Sequence, residues 1–160
     1  MLSVLVSAAL LLAAPSPSRL VAHCAQFDVS ARPSVAELIQ RLDLADLNER
    51  SAAGDDLACY GDAAAPAVKK MISQLFNTGI GEVNGNAIEA VAFLGSIAVP
   101  ALIEALDDPA PLIRINTIEA LRSIGPPAAP ALRALRDRRG KPGYDIALVD
   151  LTIRTIEAKP

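Results

Sequence analysis

Along residues 34–157 the apolar positions recur three and four apart, not at every second residue. Met71, Ile72, Leu75 and Phe76 follow Val68 at that spacing, and Leu102, Ile103 and Leu106 repeat it. Such a period marks amphipathic helices. Between the stripes stands one phrase, written three times: Gly61 to Val68, Gly95 to Leu102 and Gly125 to Leu132. Its pattern is Gly-x-x-Ala-[Ala/Val]-Pro-Ala-[Val/Leu], at intervals of 34 and 30 residues. Glycine suits a helix C-terminus, because it enters the left-handed region without a Cβ penalty. Proline suits the first turn of the next helix, where its missing N–H leaves no bond unmade. Each phrase therefore reads as helix end, short turn, helix start. Leu57 and Tyr60, Val91 and Leu94, and Leu121 and Ile124 hold the same two places before the three glycines.

A period of this length marks a repeat architecture. Shifted by 64 residues, 34–61 falls on 98–125 without a gap: Leu38, Ile39, Leu42 and Asp43 meet Leu102, Ile103, Leu106 and Asp107. Arg50 meets Arg114, Leu57 meets Leu121 and Gly61 meets Gly125. The spacing predicts eight helices, over 34–43 and 48–60, 64–76 and 84–94, 98–107 and 112–124, and 127–138 and 144–157. In the last of these Ile146, Val149, Ile153 and Ile156 form one stripe. Leu148 and Leu151 lie off it, either exposed or meeting a partner.

The run Val99-Pro100-Ala101-Leu102-Ile103-Glu104-Ala105-Leu106-Asp107-Asp108, followed by Ile113-Arg114, Ala120-Leu121 and Ile124-Gly125, resembles the HEAT-like repeat of the phycobilisome-lyase type. The resemblance spans 34–157. Its second repeat carries a polar insertion, 77–86, and its fourth has Glu157 where the closing glycine would stand. It implies an all-α solenoid of about four stacked antiparallel helix pairs, each burying its apolar face against its neighbours. It also implies that the second helix of each pair lines a concave face. The polar residues expected there are Arg50, Asp55, Glu89, Asn116, Glu119 and Arg122. Some relatives of this type attach bilin chromophores to partner proteins.

The front of the chain is different. Leu2 to Ala14 is an apolar run closed by Pro15-Ser16-Pro17-Ser18. It is shorter than the roughly 20 apolar residues of a membrane span and has the length of a signal-peptide core, although no Lys or Arg precedes it. The division expected is a signal peptide over 1–22, a linker over 23–33, the repeat domain over 34–157 and a tail over 158–160. Small residues allow a cut after Ala14, Ala22, Cys24 or Ala25. Leu20-Val21-Ala22-His23-Cys24 is similar to a lipoprotein processing box, but departs from it at His23. Membrane anchoring would require lipid on Cys24.

The two cysteines leave two readings open. Cys24 and Cys59 form a disulfide, which an exported protein allows, or Cys59 is a buried free thiol; the sequence favours the second.

Candidate chemistry is sparse. His23 is the one histidine, which leaves no histidine triad and no His-ligated metal site. The paired His-Glu motifs of HEAT-like hydroxylases are absent. Asn84-Gly85-Asn86 with Glu82 lacks the alternating acidic ligands of a calcium loop and reads as a surface loop. Cys59 as a lyase nucleophile would sit at a helix C-terminus among Asp55, Asp56 and Asp62, where a thiolate is disfavoured. No cofactor is implied. Arg133, Arg136, Arg138, Arg139 and Lys141 crowd one stretch, read as a solvated helix end or as a docking patch for acidic protein segments or anionic headgroups. A net charge of −3 and an aromatic content of 3% argue against nucleic acid as partner. The expectation is an exported, non-catalytic scaffold for an unidentified protein partner, in the periplasm or secreted. Its alternatives are a subunit or enzyme related to bilin lyases, and an envelope protein making homotypic contacts.

Overall fold

The computed structural model describes residues 18–76 and 84–158. The Leu2–Ala14 run, most of the 77–86 insertion and the last two residues of the tail lie outside them. Among the described residues there are nine α-helices and no strand. They are α1 (Arg19–Ala25), α2 (Val35–Arg41), α3 (Leu47–Cys59), α4 (Val68–Leu75), α5 (Gly85–Phe93), α6 (Val99–Ala105), α7 (Pro111–Ile124), α8 (Leu132–Arg138) and α9 (Ile146–Glu157). Helices α2 to α9 are the eight expected. Helix α1 lies where signal peptide and linker were expected, and its Leu20 is fully buried with the core.

The eight pair as α2/α3, α4/α5, α6/α7 and α8/α9 and stack in one direction. Helices α3, α5, α7 and α9 form one continuous row in which each touches the next. Helices α2, α4, α6 and α8 lie outside that row, and the row from α3 to α9 is the one expected to line the inner face. The fold is an α-solenoid of HEAT-like repeats. Its core is one band of Leu, Ile, Val and Ala running the length of the stack, with Phe76 as its largest fully buried side chain.

The repeated phrase builds the corners between pairs. Gly61, Gly95 and Gly125 have φ of 53°, 60° and 69°. After each comes a 3-10 turn: Gly61–Ala67, Gly95–Ile97 and Pro126–Ala131. Ala64, Ala98 and Ala128 are fully buried, whereas Pro66, Pro100 and Pro130 are exposed. The alanine is thus the residue of the corner that turns into the core, where a larger side chain would hold the turns apart. Pro100 stands in the first turn of α6. Pro66 and Pro130 stand one step earlier than expected, inside the 3-10 turns that lead into α4 and α8.

Gly125 combines φ 69° with ψ −140°, a region essentially closed to residues with a Cβ. Gly125→Ala should therefore lower stability by about 1–3 kcal/mol, measured by thermal or urea unfolding.

Local signals set the helix starts. Ser34 and Glu37 form a reciprocal capping box at α2, and the hydrogen bonds from Ser34 hold the Glu37 carboxyl below its ordinary value. Asp46 and Asp145 accept from backbone N–H groups at the starts of α3 and α9. Asn84, expected in a surface loop, is the N-cap of α5: its side chain accepts from the Ala87 N–H and donates to the Leu75 carbonyl.

The last helix departs from its expected stripe. Val149, Thr152 and Ile156 are buried, Ile153 and Leu148 are half-buried against the core, and Ile146 and Leu151 are exposed. One face of α9 receives α7 and another receives α8, so its apolar band is wider than a single stripe. Among the described residues no helix is long and apolar enough to cross a membrane.

Candidate interaction face

Six polar residues were expected on the inner row, and the structure separates them into three pairs. Arg50 and Asn116 are turned into the stack. Arg50 donates from Nη1 to the Gln74 carbonyl at 3.5 Å, near the end of α4. Asn116 is fully buried and donates from Nδ2 to the Phe76 carbonyl at 2.9 Å. The carbonyls at a helix C-terminus have no partner within the helix, and these two side chains supply partners for the end of α4. They hold one repeat to the next, and their assignment to a partner surface is corrected. Arg114, which the 64-residue shift aligns with Arg50, does the same at the far end. It donates to the Asp108 carbonyl at 2.7 Å and the Gly143 carbonyl at 3.5 Å, beside the Tyr144 ring. That alignment was the available signal that Arg50 is architectural.

Asp55 on α3 and Glu89 on α5 do sit on the inner row, but α1 lies over them. Arg19 reaches Asp55 through both guanidinium nitrogens, one of them at 2.8 Å. Its Nε is 3.3 Å from Glu89, and the Leu20 N–H donates to the same carboxylate at 3.3 Å. The hydrogen bond to Asp55 holds the Arg19 guanidinium above its ordinary pKa. One turn on, His23 Nε2 is 2.9 Å from Asp56. Cys24 is disulfide-bonded to Cys59, with 5.1 Å between the Cα atoms. Phe27 packs edge-on against Tyr60 at 5.3 Å.

The segment expected to be a linker is therefore fastened to α3 residue by residue, and the preferred reading of Cys59 as a free thiol is corrected. The Cys24 sulfur, on which lipid anchoring would depend, is in the bridge. The signal was present as a helical spacing, Arg19, Leu20, His23, Cys24 and Phe27. It was obscured because that stretch followed a leader-like run.

Glu119 and Arg122 on α7 make the third pair. They bond to each other, Arg122 Nε to Glu119 Oε2 at 2.8 Å, and they remain at the surface. With Ile88, Glu89 and Phe93 of α5 they line an open groove of about 640 Å³ between α5 and α7, which Ser18 also lines. Phe93 is 41% exposed, uncommon for so large an apolar side chain. Sequence reasoning did not single it out. Its place on the inner row, one turn after Glu89, was the sign.

The basic stretch is largely neutralised. Arg136 pairs with Glu157, Arg138 with Asp107 and Arg139 with Asp150. The bond from Arg139 holds the Asp150 carboxyl below its ordinary value. Arg133 and Lys141 are exposed. Three of the five cations thus tie the end of α8 to Asp107 after α6 and to Asp150 and Glu157 of α9.

A stack of helix pairs with an inner row that carries a groove and mixed charges defines a class by its fold, the α-solenoids. Sequence comparison agrees: residues 68–146, from α4 to the start of α9, match the family described as HEAT repeats. The match supports a HEAT-like repeat protein and does not single out the phycobilisome-lyase type. HEAT repeats commonly serve as protein-interaction scaffolds and are generally not catalytic. No curated protein and no solved structure matches the chain.

Proposed function

We propose that this protein is an exported, non-catalytic scaffold that holds a partner protein in the groove between α5 and α7. The observation that carries the reading is the combination of Phe93, an exposed aromatic, with the Glu119–Arg122 pair on a preformed inner face. An aromatic anchor beside oriented charges is the arrangement that interface hot spots favour. The face is built on helices, so little ordering is needed when a partner binds.

Export is supported by the Cys24–Cys59 bridge, since disulfides persist in oxidising compartments. Of the four cuts that small residues allow, one after Ala14 keeps α1 whole. Cuts after Ala22, Cys24 or Ala25 would remove Arg19 and Leu20. The lyase-related alternative loses its support at Cys59, the thiol it depends on, which is tied to Cys24.

Exchanging the charges, Glu119→Arg with Arg122→Glu, preserves an internal pair while reversing the polarity of the groove. The exchanged protein should melt within about 0.5 kcal/mol of the original and lose at least ~10-fold in affinity for a partner that the original retains. Affinity capture with the full chain, followed by titration of the retained protein against both forms, measures this. Equal affinity for both forms would remove the groove from the reading.

A further inference from the structure

Helix α1 is held on the inner face in the way a bound peptide would be. Its contacts are those of a ligand: a guanidinium on Asp55 and Glu89, an imidazole on Asp56, and a leucine fully buried against the stack. Yet the helix is only seven residues long, and Leu20 is its one buried residue. A helix of that length is far below the size that stands alone in water, and exposed ion pairs add little. Its covalent hold is the Cys24–Cys59 bridge, in which both cysteines are partly buried and neither is enclosed in the core.

We infer that α1 is a disulfide-latched occupant of an acidic groove over α3 and α5. Opening the latch frees that groove for a short basic helix of a partner, with arginine followed by leucine and a second cation one turn later. The inference rests on the proposal that the inner face binds protein, and it adds the chemistry of the partner and the condition for its entry. The groove's own residues set that chemistry: Asp55, Asp56 and Glu89 line it without a basic residue of α3 or α5 among the partners of α1.

The reductant is a protein or small-molecule dithiol. One of its thiolates attacks a sulfur of the bridge, forming a mixed disulfide and releasing the other cysteine as a thiolate that takes up a proton. The second thiol of the reductant then attacks the mixed disulfide and releases the first cysteine. Two electrons and two protons pass to Cys24 and Cys59, and the reductant leaves as its own disulfide.

The test uses the full exported chain. Hydrogen exchange is followed with and without a dithiol. Reduction should raise exchange at Leu20–Ala25 by at least ~10-fold while α5, α7 and α9 keep their protection. Unchanged protection of α1, or its loss together with the whole stack, would overturn the inference.

A fluorescent peptide of residues 18–27, carrying Cys24→Ser, is then titrated. The oxidised chain should not bind it. The reduced chain carrying Arg19→Glu and Leu20→Asp, which unseat α1, should bind it weakly, with a Kd on the order of millimolar, the effective concentration at which the tethered segment competes. Adding Asp55→Lys and Glu89→Lys to that chain should abolish binding. No binding to the unseated chain, or equal binding after the lysine substitutions, would overturn the inference, provided hydrogen exchange shows α5 to α9 still folded. A failure here alongside continued partner loss on exchange of Glu119 and Arg122 refutes the latch and leaves the wider proposal standing. Peptide binding without any effect of that exchange separates them the other way.

Discussion

Replacing both cysteines, Cys24→Ser with Cys59→Ser, should weaken the seat of α1 by about 3–4 kcal/mol, the chain-entropy value for a loop with a separation of 35 residues. The double replacement is preferred to a single one because it leaves no lone reactive thiol. The loss should be local. Helix α1 touches α3 and α5 at one end of the stack, and in a solenoid each unit is supported mainly by its neighbours. Native-state hydrogen exchange should therefore show the opening of α1 rising several hundredfold, the equivalent of that free energy, while α7 and α9 are unaffected. If α7 and α9 lose protection equally, the bridge is a staple for the whole molecule and not a clasp for its first helix.

The second large effect is expected at Phe76. Its side chain is fully buried at the end of α4, and its carbonyl accepts from the buried Asn116 of α7. One residue thus fills the core and anchors a hydrogen bond that reaches past α5. Phe76→Ala removes the ring and leaves a cavity, so the loss should be about 3–5 kcal/mol, or roughly 10–15 °C in Tm. Asn116→Ala should cost about 1–3 kcal/mol, because it strands the carbonyl at the end of α4. The two should not add, since the cavity lets the end of α4 relax away from α7. A double-mutant cycle by urea unfolding measures the coupling, and strict additivity would mean that the two residues act independently.

The corners of the stack were legible because they depend on backbone rules. A positive φ calls for glycine, a helix start tolerates proline, and a buried corner calls for alanine. Gly61, Gly95 and Gly125 each carry all three signals in order. The helix pairs were legible because apolar spacing needs no knowledge of the partner helix. The polar inner face was less so. Helical phase places Arg50, Asn116 and Glu119 on one side of the row, but it does not say which of them finds a carbonyl on the neighbouring repeat. Asn116 finds the Phe76 carbonyl, 40 residues away. Helix α1 was missed for a related reason: its helical spacing is short, and its meaning lies in Asp55, Asp56, Cys59 and Tyr60 on another helix. The groove at Phe93 was hidden because a single exposed aromatic in a helix looks like any core position until the stack is formed.

The most direct test of the interaction face is site-specific photocrosslinking in the full chain. A photoreactive phenylalanine replaces Phe93 on the inner row or, in a second protein, Lys69, which pairs with Glu104 across α4 and α6 on the outer row. Illumination in the presence of the captured partner should give one crosslinked species from the Phe93 position and none from the Lys69 position. Crosslinking from Lys69 with none from Phe93 would contradict the assignment of function to the inner face.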